Sequence, residues 1–414
     1  MEIHADGYHV PKELVEPYHL MALTVEPPFT LYRTTDSHVV VPRQWGVSHF
    51  GPAKTQWPSA SVPLVHHEFA LQSHQTGAAN QILQTLRQQG TAILSLPTGR
   101  GKTFIALWIA SQLQCRTLIV VHKTVILEQW LKDIQGVFTG CAISRVQASH
   151  QDWSGNFVVG TIQTLAKVDI PAPFGLVIID EVHHLAARHF VNIMHVAGSQ
   201  YMLGLSATPQ RKDGMTFILE YHLGQVSYTE DVSALSRGCT LALVHSQIRV
   251  YAGTYSKTLS LLAKEPQRTR NIARLIHSIL TPERKILVLS DRKILLVQLN
   301  NTLRTMGVDC GLFHGGQNAR TNAQSIACSV ILATGGIFSE GVSLPDLNTL
   351  VFATPKCDIA QSIGRIFRKE YTNESVQPLI VDIVDVQFDS MLQKRMQEYK
   401  HEIPCKKIVH WQLD

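Results

Sequence analysis

Leu96-Pro97-Thr98-Gly99-Arg100-Gly101-Lys102-Thr103 is the stretch that decides the fold. The apolar run Thr91–Leu96 leads into it and a helical stretch, Lys102–Leu113, leaves it, so two glycines, a lysine and a hydroxyl occupy the turn between a buried strand and a helix start. A triphosphate suits such a turn. The N–H groups of the turn and of the first helical turn have no partner within the helix and point at an anion; a lysine reaches the outer phosphates and a hydroxyl holds Mg²⁺. Pro97, Thr98, Gly99, Arg100, Gly101, Lys102 and Thr103 are therefore the candidate nucleotide cradle, with Lys102 catalytic and Thr103 an Mg²⁺ ligand. The strict pattern has glycine where Leu96 stands, so the match is incomplete.

Outward from this turn the chain alternates short apolar runs with helical stretches. Strands are expected at Thr117–Val121, Phe157–Gly160, Leu176–Ile179 and Met202–Leu205, with a helix at Val125–Ile134. A second series has strands at Leu241–Val244, Ile286–Leu289, Val330–Ala333, Thr349–Phe352 and Leu379–Val384. Helices are expected there at Arg270–Ile279, Lys293–Met306 and Asp358–Arg368. Such alternation implies βαβ units around buried parallel sheets, so the fold class is α/β with two domains in tandem. Before them, residues up to about Pro63 are rich in Pro, Gly and aromatic residues that break any helical period, for example Pro42-Arg43 and Trp45-Gly46. The expected division is a β-containing accessory segment and linker over 1–65, an ATP-binding domain over 66–228 and a second domain over 229–414.

Two further constellations carry chemistry. The run Leu176-Val177-Ile178-Ile179 delivers Asp180 and Glu181 at the carboxyl end of a strand, where open α/β sheets place ligand-binding groups. Asp180 is expected to hold Mg²⁺ and Glu181 to orient and deprotonate an attacking water. Gln361, Gly364, Arg365 and Arg368 fall at i, i+3, i+4 and i+7, a single helical stripe bearing two guanidinium groups. Arginines from a second domain stabilise charge on a transferring phosphoryl group, which makes hydrolysis depend on domain closure.

Composition narrows the classes. At 414 residues with 45% hydrophobic content, the chain can fill more than one core, which excludes a disordered or fibrous protein. A net charge of +5 is too small for an obligate nucleic-acid coat and compatible with a local basic groove. No apolar run reaches the roughly 18 residues a membrane span requires, so a soluble intracellular protein is expected, in host nucleus or cytoplasm if the source is a virus. The seven cysteines form no C-x-x-C pair, and the doublets His66-His67 and His183-His184 point their side chains apart, so no zinc centre or disulfide framework is expected. Trp130, after Gln129 on the helix, reads as core packing rather than a platform for bases.

In order along the chain, these residues resemble the superfamily 2 helicases and translocases, over Leu71 to about Tyr399. The resemblance implies two tandem RecA-like P-loop domains. It makes Gln75 the adenine-reading glutamine, residues 99–103 motif I, Asp180-Glu181-Val182-His183 the DExH form of motif II, Ser206-Ala207-Thr208 motif III and Gln361 through Arg368 motif VI. It assigns His183, Ser206, Ala207 and Thr208 to coupling the ATP site to a nucleic-acid track. Leu203 through Pro209 followed by Arg211-Lys212-Asp213-Gly214 is similar to the XPB-type and phage UvsW-type branch with relatives in large DNA viruses. Thr334 through Ser343 resembles motif V of the phage type, with Glu340, Gly341 and Gln361 on the nucleotide; Ser343 replaces the Asp of other branches.

By the same resemblance, His122, Lys123, Gly160, Thr161, Gln163 and Thr334 line the track, contacting the strand mainly through its phosphates. For Thr161 and Thr334 a plain structural role stands beside this one. Arg211 and Lys212 stand where relatives carry a strand-opening tripeptide; a solvated loop is the other reading, because Lys212 reverses the charge of the family's middle residue. The expected activity is ATP hydrolysis with Mg²⁺ driving translocation and unwinding or branch remodelling, on DNA rather than RNA, with replication, repair or transcription proteins as further partners. Two rivals are a duplex translocase that displaces bound protein without separating strands and an ATP-gated clamp.

Overall fold

A computed structural model describes the chain except residues 56, 58–59, 65, 67–68, 98, 172, 186, 208–210, 212, 231–237, 315–316, 318, 336–345, 357–358, 368–370, 372–374, 403–406 and 414, and the side chains of 184, 196, 319, 360–361 and 401–402. It divides into two compact units, the first holding Met1–Leu96 and Gly101–Glu230, the second Pro97–Arg100 and Asp231–Asp414.

The first unit opens with a five-stranded sheet of β1 (Glu2–His4), β2 (Gly7–Pro11), β3 (Arg33–Thr34), β4 (His38–Val41) and β5 (Lys54–Thr55), in the order β3-β4-β2-β1-β5. The pairs are antiparallel except β1 with β5. Contrary to the expectation that Pro and Gly here bar any helix, α1 spans Arg43–Phe50. Pro42 stands before its first turn, where the fixed φ and missing N–H cost nothing. Gly46 is tolerated mid-helix because a Cβ there would collide with the Tyr8 ring. Tyr8, Val10, Val41 and Trp45 share one hydrophobic cluster with Phe190, Ile193, Ile218 and Leu223. The opening segment is thus built into the core of the first unit.

The rest of that unit is an eight-stranded sheet. After α2 (Ser73–Gln89) come β6 (Thr91–Ser95), α3 (Lys102–Leu113), β7 (Thr117–Val121), α4 (Thr124–Val137), β8 (Ile143–Gln147), β9 (His150–Gln151) and β10 (Phe157–Thr161). Then follow β11 (Phe174–Ile179), α5 (Ala187–Val196), β12 (Ser199–Ser206), α6 (Thr216–Leu223) and β13 (Val226–Thr229). The order is β9-β8-β10-β7-β11-β12-β6-β13, parallel except for the β8–β9 hairpin. Every residue of β6, β7, β10 and β11 is buried, which is why these strands read as continuous apolar runs.

The second unit contains β14 (Thr240–Ser246), α7 (Tyr255–Leu262), α8 (Pro266–Ile279), β15 (Ile286–Ser290), α9 (Lys293–Thr305), β16 (Cys310–Phe313), α10 (Ala319–Ala327) and β17 (Val330–Thr334). It continues with β18 (Thr349–Phe352), α11 (Ala360–Ile363), β19 (Leu379–Asp385), α12 (Asp389–Glu402) and β20 (Lys407–Leu413). The sheet order is β16-β17-β15-β18-β19-β14-β20, parallel throughout. Strand β19 carries two buried carboxylates. Arg268 of α8 forks Asp385 at 3.0 and 2.8 Å, and Arg395 of α12 forks Asp382 at 2.7 and 3.0 Å, with Tyr399 adding a donor at 2.9 Å.

The expected long helix over Asp358–Arg368 is shorter. Its described α-helical part is Ala360–Ile363, after which Arg365 N donates to Ser362 O and Ile366 N to Ile363 O. Gly364, a weak helix former, stands where the coil tightens to i→i+3 bonds.

Candidate nucleotide and nucleic-acid site

Parallel strands β6, β12 and β11 lie side by side and end at the same sheet edge, with Ser206 pairing with Ser95 and Gly204 with Ile179. The phosphate-loop turn leaves β6, the acidic pair leaves β11, and Ser206 closes the strand between them. In the turn, Gly99 and Gly101 have φ of 90° and 80°, a region an L side chain resists. At Gly101 a Cβ would also run into the Gln75 amide, so this glycine is required twice over. Gln75 is buried, and its Oε1 accepts from Gln72 N at 3.0 Å, closing the capping box of α2. This places the glutamine side chain on the phosphate-loop turn. Thr98 lies outside the described residues.

Lys102, 9% exposed, opens α3; its Nζ donates to Leu96 O at 2.9 Å and stands 3.8 Å from Glu181 Oε1. Glu181 follows directly on Asp180 and adopts φ 46°, ψ 51°, a left-handed conformation that costs a non-glycine residue of order 1–3 kcal/mol and is kept mostly at functional sites. Asp180 is 8% exposed. Its Oδ2 accepts from Trp130 Nε1 at 2.8 Å and its Oδ1 from the Glu181 N–H at 3.0 Å. Burial first, and then the adjacent Glu181 charge, push its carboxyl up to about 6, against the Trp130 hydrogen bond and the Lys102 charge. His183 Nδ1 lies 2.7 Å from Ser206 Oγ and 3.6 Å from Glu181 Oε2.

This donor set suits a hard divalent cation. Two neighbouring carboxylates are held in a desolvated position where their mutual repulsion already raises one of them, and a cation relieves both effects. Thr103, expected from the sequence to be a further oxygen ligand, is the second residue of α3.

The candidate strand contacts gather at the ends of two adjacent strands. Thr161 pairs with Val121, so His122 and Lys123 after β7 lie beside Thr161 at the end of β10. Gln163 Nε2 donates to His122 O at 3.2 Å, Thr161 Oγ1 lies 3.0 Å from Thr164 Oγ1, and Gly160 packs on Leu165. Lys123 is exposed. The Arg211 guanidinium is engaged internally, donating to Leu185 O at 2.6 Å and forking Asp213, with its side chain 5% exposed. Ala207 is described; Thr208 and Lys212 lie outside the described residues.

In the second unit, Thr334 ends β17 opposite Ser290, and its Oγ1 is buried without a hydrogen-bond partner among the described residues. Arg365 is 4% exposed. The Gln361 side chain and residues Glu340, Gly341 and Arg368 lie outside the described residues. Sequence reasoning passed over Trp130 as a site residue. A buried indole N–H needs an acceptor, which was the available signal, but which acceptor depends on strand order. Among the described residues no helix is long and apolar enough to cross a membrane.

The family profile "Type III restriction enzyme, res subunit" matches residues 68–211. A protein of Acanthamoeba polyphaga mimivirus named as an ATP-dependent RNA helicase is 31% identical over 385 residues, covering 87% of this chain and 74% of that protein. A protein of Escherichia phage T5 named as a helicase is 28% identical over 313 residues, covering 71% and 68%. Among solved structures, the ATP-dependent Type ISP restriction-modification enzyme LlaBIII bound to DNA aligns with a TM-score of 0.59 at 14% identity, covering 83% of this chain and 31% of the other. The S. cerevisiae protein Dbp5 bound to RNA and ADP with beryllium fluoride aligns at 0.57 and 12%, covering 81% and 90%. Both share the fold of two RecA-like domains with parallel sheets. The chain belongs to the superfamily 2 helicases, enzymes that use ATP and act on nucleic acid, in the group with relatives in large DNA viruses and phage.

Proposed function

We propose that the protein is a DNA-directed helicase or translocase that hydrolyses Mg²⁺-bound ATP between its two domains. The observation that carries the reading is the meeting of Lys102, Glu181 and Asp180 at the edge where β6 and β11 end. When bound, Mg²⁺ neutralises charge on the outer phosphates. Asp180 and Thr103 hold it, and Lys102 turns from Leu96 O and Glu181 to the phosphates. Glu181 then orients the attacking water and takes its proton. Arg365 and Arg368 bring positive charge to the transferring phosphoryl group when the domains close, a role that rests on the motif resemblance.

His183 and Ser206 connect this chemistry to the strand contacts, because the histidine touches both the base, Glu181, and the end of the intervening strand. His122, Lys123, Thr161 and Gln163 supply a phosphate-binding edge in the first domain, and Thr334 adds a hydroxyl from the second. The restriction-subunit profile over the ATP-binding half favours DNA, whereas the mimivirus relative carries an RNA helicase name.

The test is ATPase stimulation by single-stranded DNA, duplex DNA, forked DNA and RNA at one salt concentration, since phosphate-driven affinity varies steeply with salt. Stimulation by forked DNA above RNA is expected, together with strand separation in a fluorescent-duplex assay. Stimulation by RNA alone refutes the DNA assignment.

A further inference from the structure

We infer that Trp130 is a positioning residue of the ATPase site, holding the Asp180 carboxylate in the orientation that lets it bind the divalent cation. The inference rests on the proposed role of Asp180 and adds to it the group that makes that role possible. Trp130 lies in α4 with 1% of its surface exposed, and its Nε1 donates to Asp180 Oδ2 at 2.8 Å. The backbone N–H of Glu181 donates to Oδ1 at 3.0 Å. Each carboxylate oxygen thereby accepts one hydrogen bond, one of them from a ring that core packing immobilises, and the carboxylate plane is fixed before any ligand arrives. Each oxygen keeps lone-pair capacity for a cation. An indole suits this position because it donates but does not accept and carries no charge of its own to repel the ion.

Sequence order gives the contact a second consequence. Helix α4 starts at Thr124, directly after the candidate strand contacts His122 and Lys123, and Trp130 lies within its first two turns. The helix that begins at the proposed track therefore presses a side chain on the proposed ion ligand. Partners that orient a metal's ligands typically change metal affinity or activity by about 10–100-fold when removed.

The test uses Mn²⁺ as a paramagnetic probe on the full-length protein with ADP, read by loss of the free-ion EPR signal. Trp130→Phe keeps an aromatic ring and removes the donor. The expected result is Mn²⁺ binding weaker by about tenfold or more, with binding of a fluorescent ADP analogue in the absence of metal unchanged. The Mg²⁺ concentration for half-maximal ATP turnover rises by the same factor, and kcat recovers at saturating Mg²⁺, whereas a merely structural defect lowers turnover at every Mg²⁺ concentration.

Asp180→Ala is measured alongside. If that variant loses Mn²⁺ and Trp130→Phe binds it like the parent, the role of Trp130 is overturned and the reading of Asp180 stands; if all three bind alike, both fall. Where Trp130→Phe does not fold, the parent protein with ¹⁵N-labelled indoles gives the answer. One indole N–H resonance is expected to be broadened by Mn²⁺ with ADP and displaced in Asp180→Ala, and no such resonance overturns the inference.

Discussion

His183 Nδ1 and Ser206 Oγ stand 2.7 Å apart, joining the loop that carries Glu181 to the end of the strand that separates the acidic pair from the phosphate-loop turn. Through His183, a single hydroxyl thus ties the proposed base, Glu181, to the middle of the site edge. Ser206→Ala removes the hydroxyl without changing the strand. Turnover is expected to stay within about threefold of the parent while strand separation falls about tenfold, as for loss of one buried hydrogen bond of roughly 1–2 kcal/mol. Parallel ATPase and unwinding assays check this; equal losses in both count against coupling through this pair.

Glu181→Gln retains shape and loses the base. Binding of a fluorescent ATP analogue is expected to persist while kcat falls by about 10²–10⁴. Lys102→Ala loses turnover and weakens nucleotide binding as well, because its ammonium is the group next to both the turn carbonyl and Glu181. A Glu181→Gln protein that hydrolyses ATP at the parent rate refutes the assignment of the base.

For the arginines, Arg368→Ala and Arg365→Ala are each expected to lower ATP turnover by about 10³. Binding of DNA without nucleotide stays as in the parent. A filter-binding measurement beside the ATPase rate distinguishes this from unfolding, since an unfolded second domain loses both.

The second domain also offers a stability test. Arg268 and Asp385 are both fully buried and joined by two hydrogen bonds, and Arg268 also donates to Ala353 O at 2.8 Å. Arg268→Met leaves a buried carboxylate without its counter-ion and is expected to cost about 3–5 kcal/mol in urea unfolding. The double variant Arg268→Met with Asp385→Leu recovers most of that loss, because two apolar side chains replace the pair.

Two histidines set a pH dependence. Burial holds His222 well below its usual value, and burial together with the Arg33 charge lowers His195 to about 4. Between about pH 4 and 6.5 these two imidazoles therefore take up more protons in the unfolded chain than in the folded one, so their contribution to stability increases with pH and is lost as the pH falls through that window, opposed in part by the raised Asp180 carboxyl. The parent Tm is expected to drop by about 5 °C or more from pH 7 to pH 5, and His222→Leu to flatten that slope. Differential scanning calorimetry across the range provides the measurement.

The parts of the fold that were legible in the sequence are those buried on both faces. Thr117–Val121 and Thr349–Phe352 have the bounds their apolar runs suggested, because a parallel strand covered by helices has no polar face to confuse the pattern. Edge elements were not legible. Strand β20 has mostly exposed and half-exposed residues, including Lys407 and His410, and is held by pairing with β14 rather than by its own hydrophobicity. Helix α1 was hidden by Pro42 and Gly46, whose reasons lie at the helix start and in the Tyr8 ring.

The candidate site divides in the same way. The phosphate-loop turn, Asp180 and Glu181 are local in sequence, since glycines and strand-end carboxylates state their chemistry by spacing alone. Trp130 and Asp180 are 50 positions apart and meet only because β7 and β11 are neighbours in the sheet, which no local pattern encodes. Ser206 and His183 were placed by family resemblance; their contact follows from β12 lying next to β11.

Because Tyr8, Val10, Val41 and Trp45 fill the same interior as Phe190, Ile193, Ile218 and Leu223, the opening sheet is a wall of the ATP-binding half and not an attachment to it. Cutting the chain after that sheet lays bare an oily face and invites precipitation rather than yielding a minimal motor. Grafting a different leader onto this protein would succeed only if the outward sides of α5 and α6 were exchanged with it.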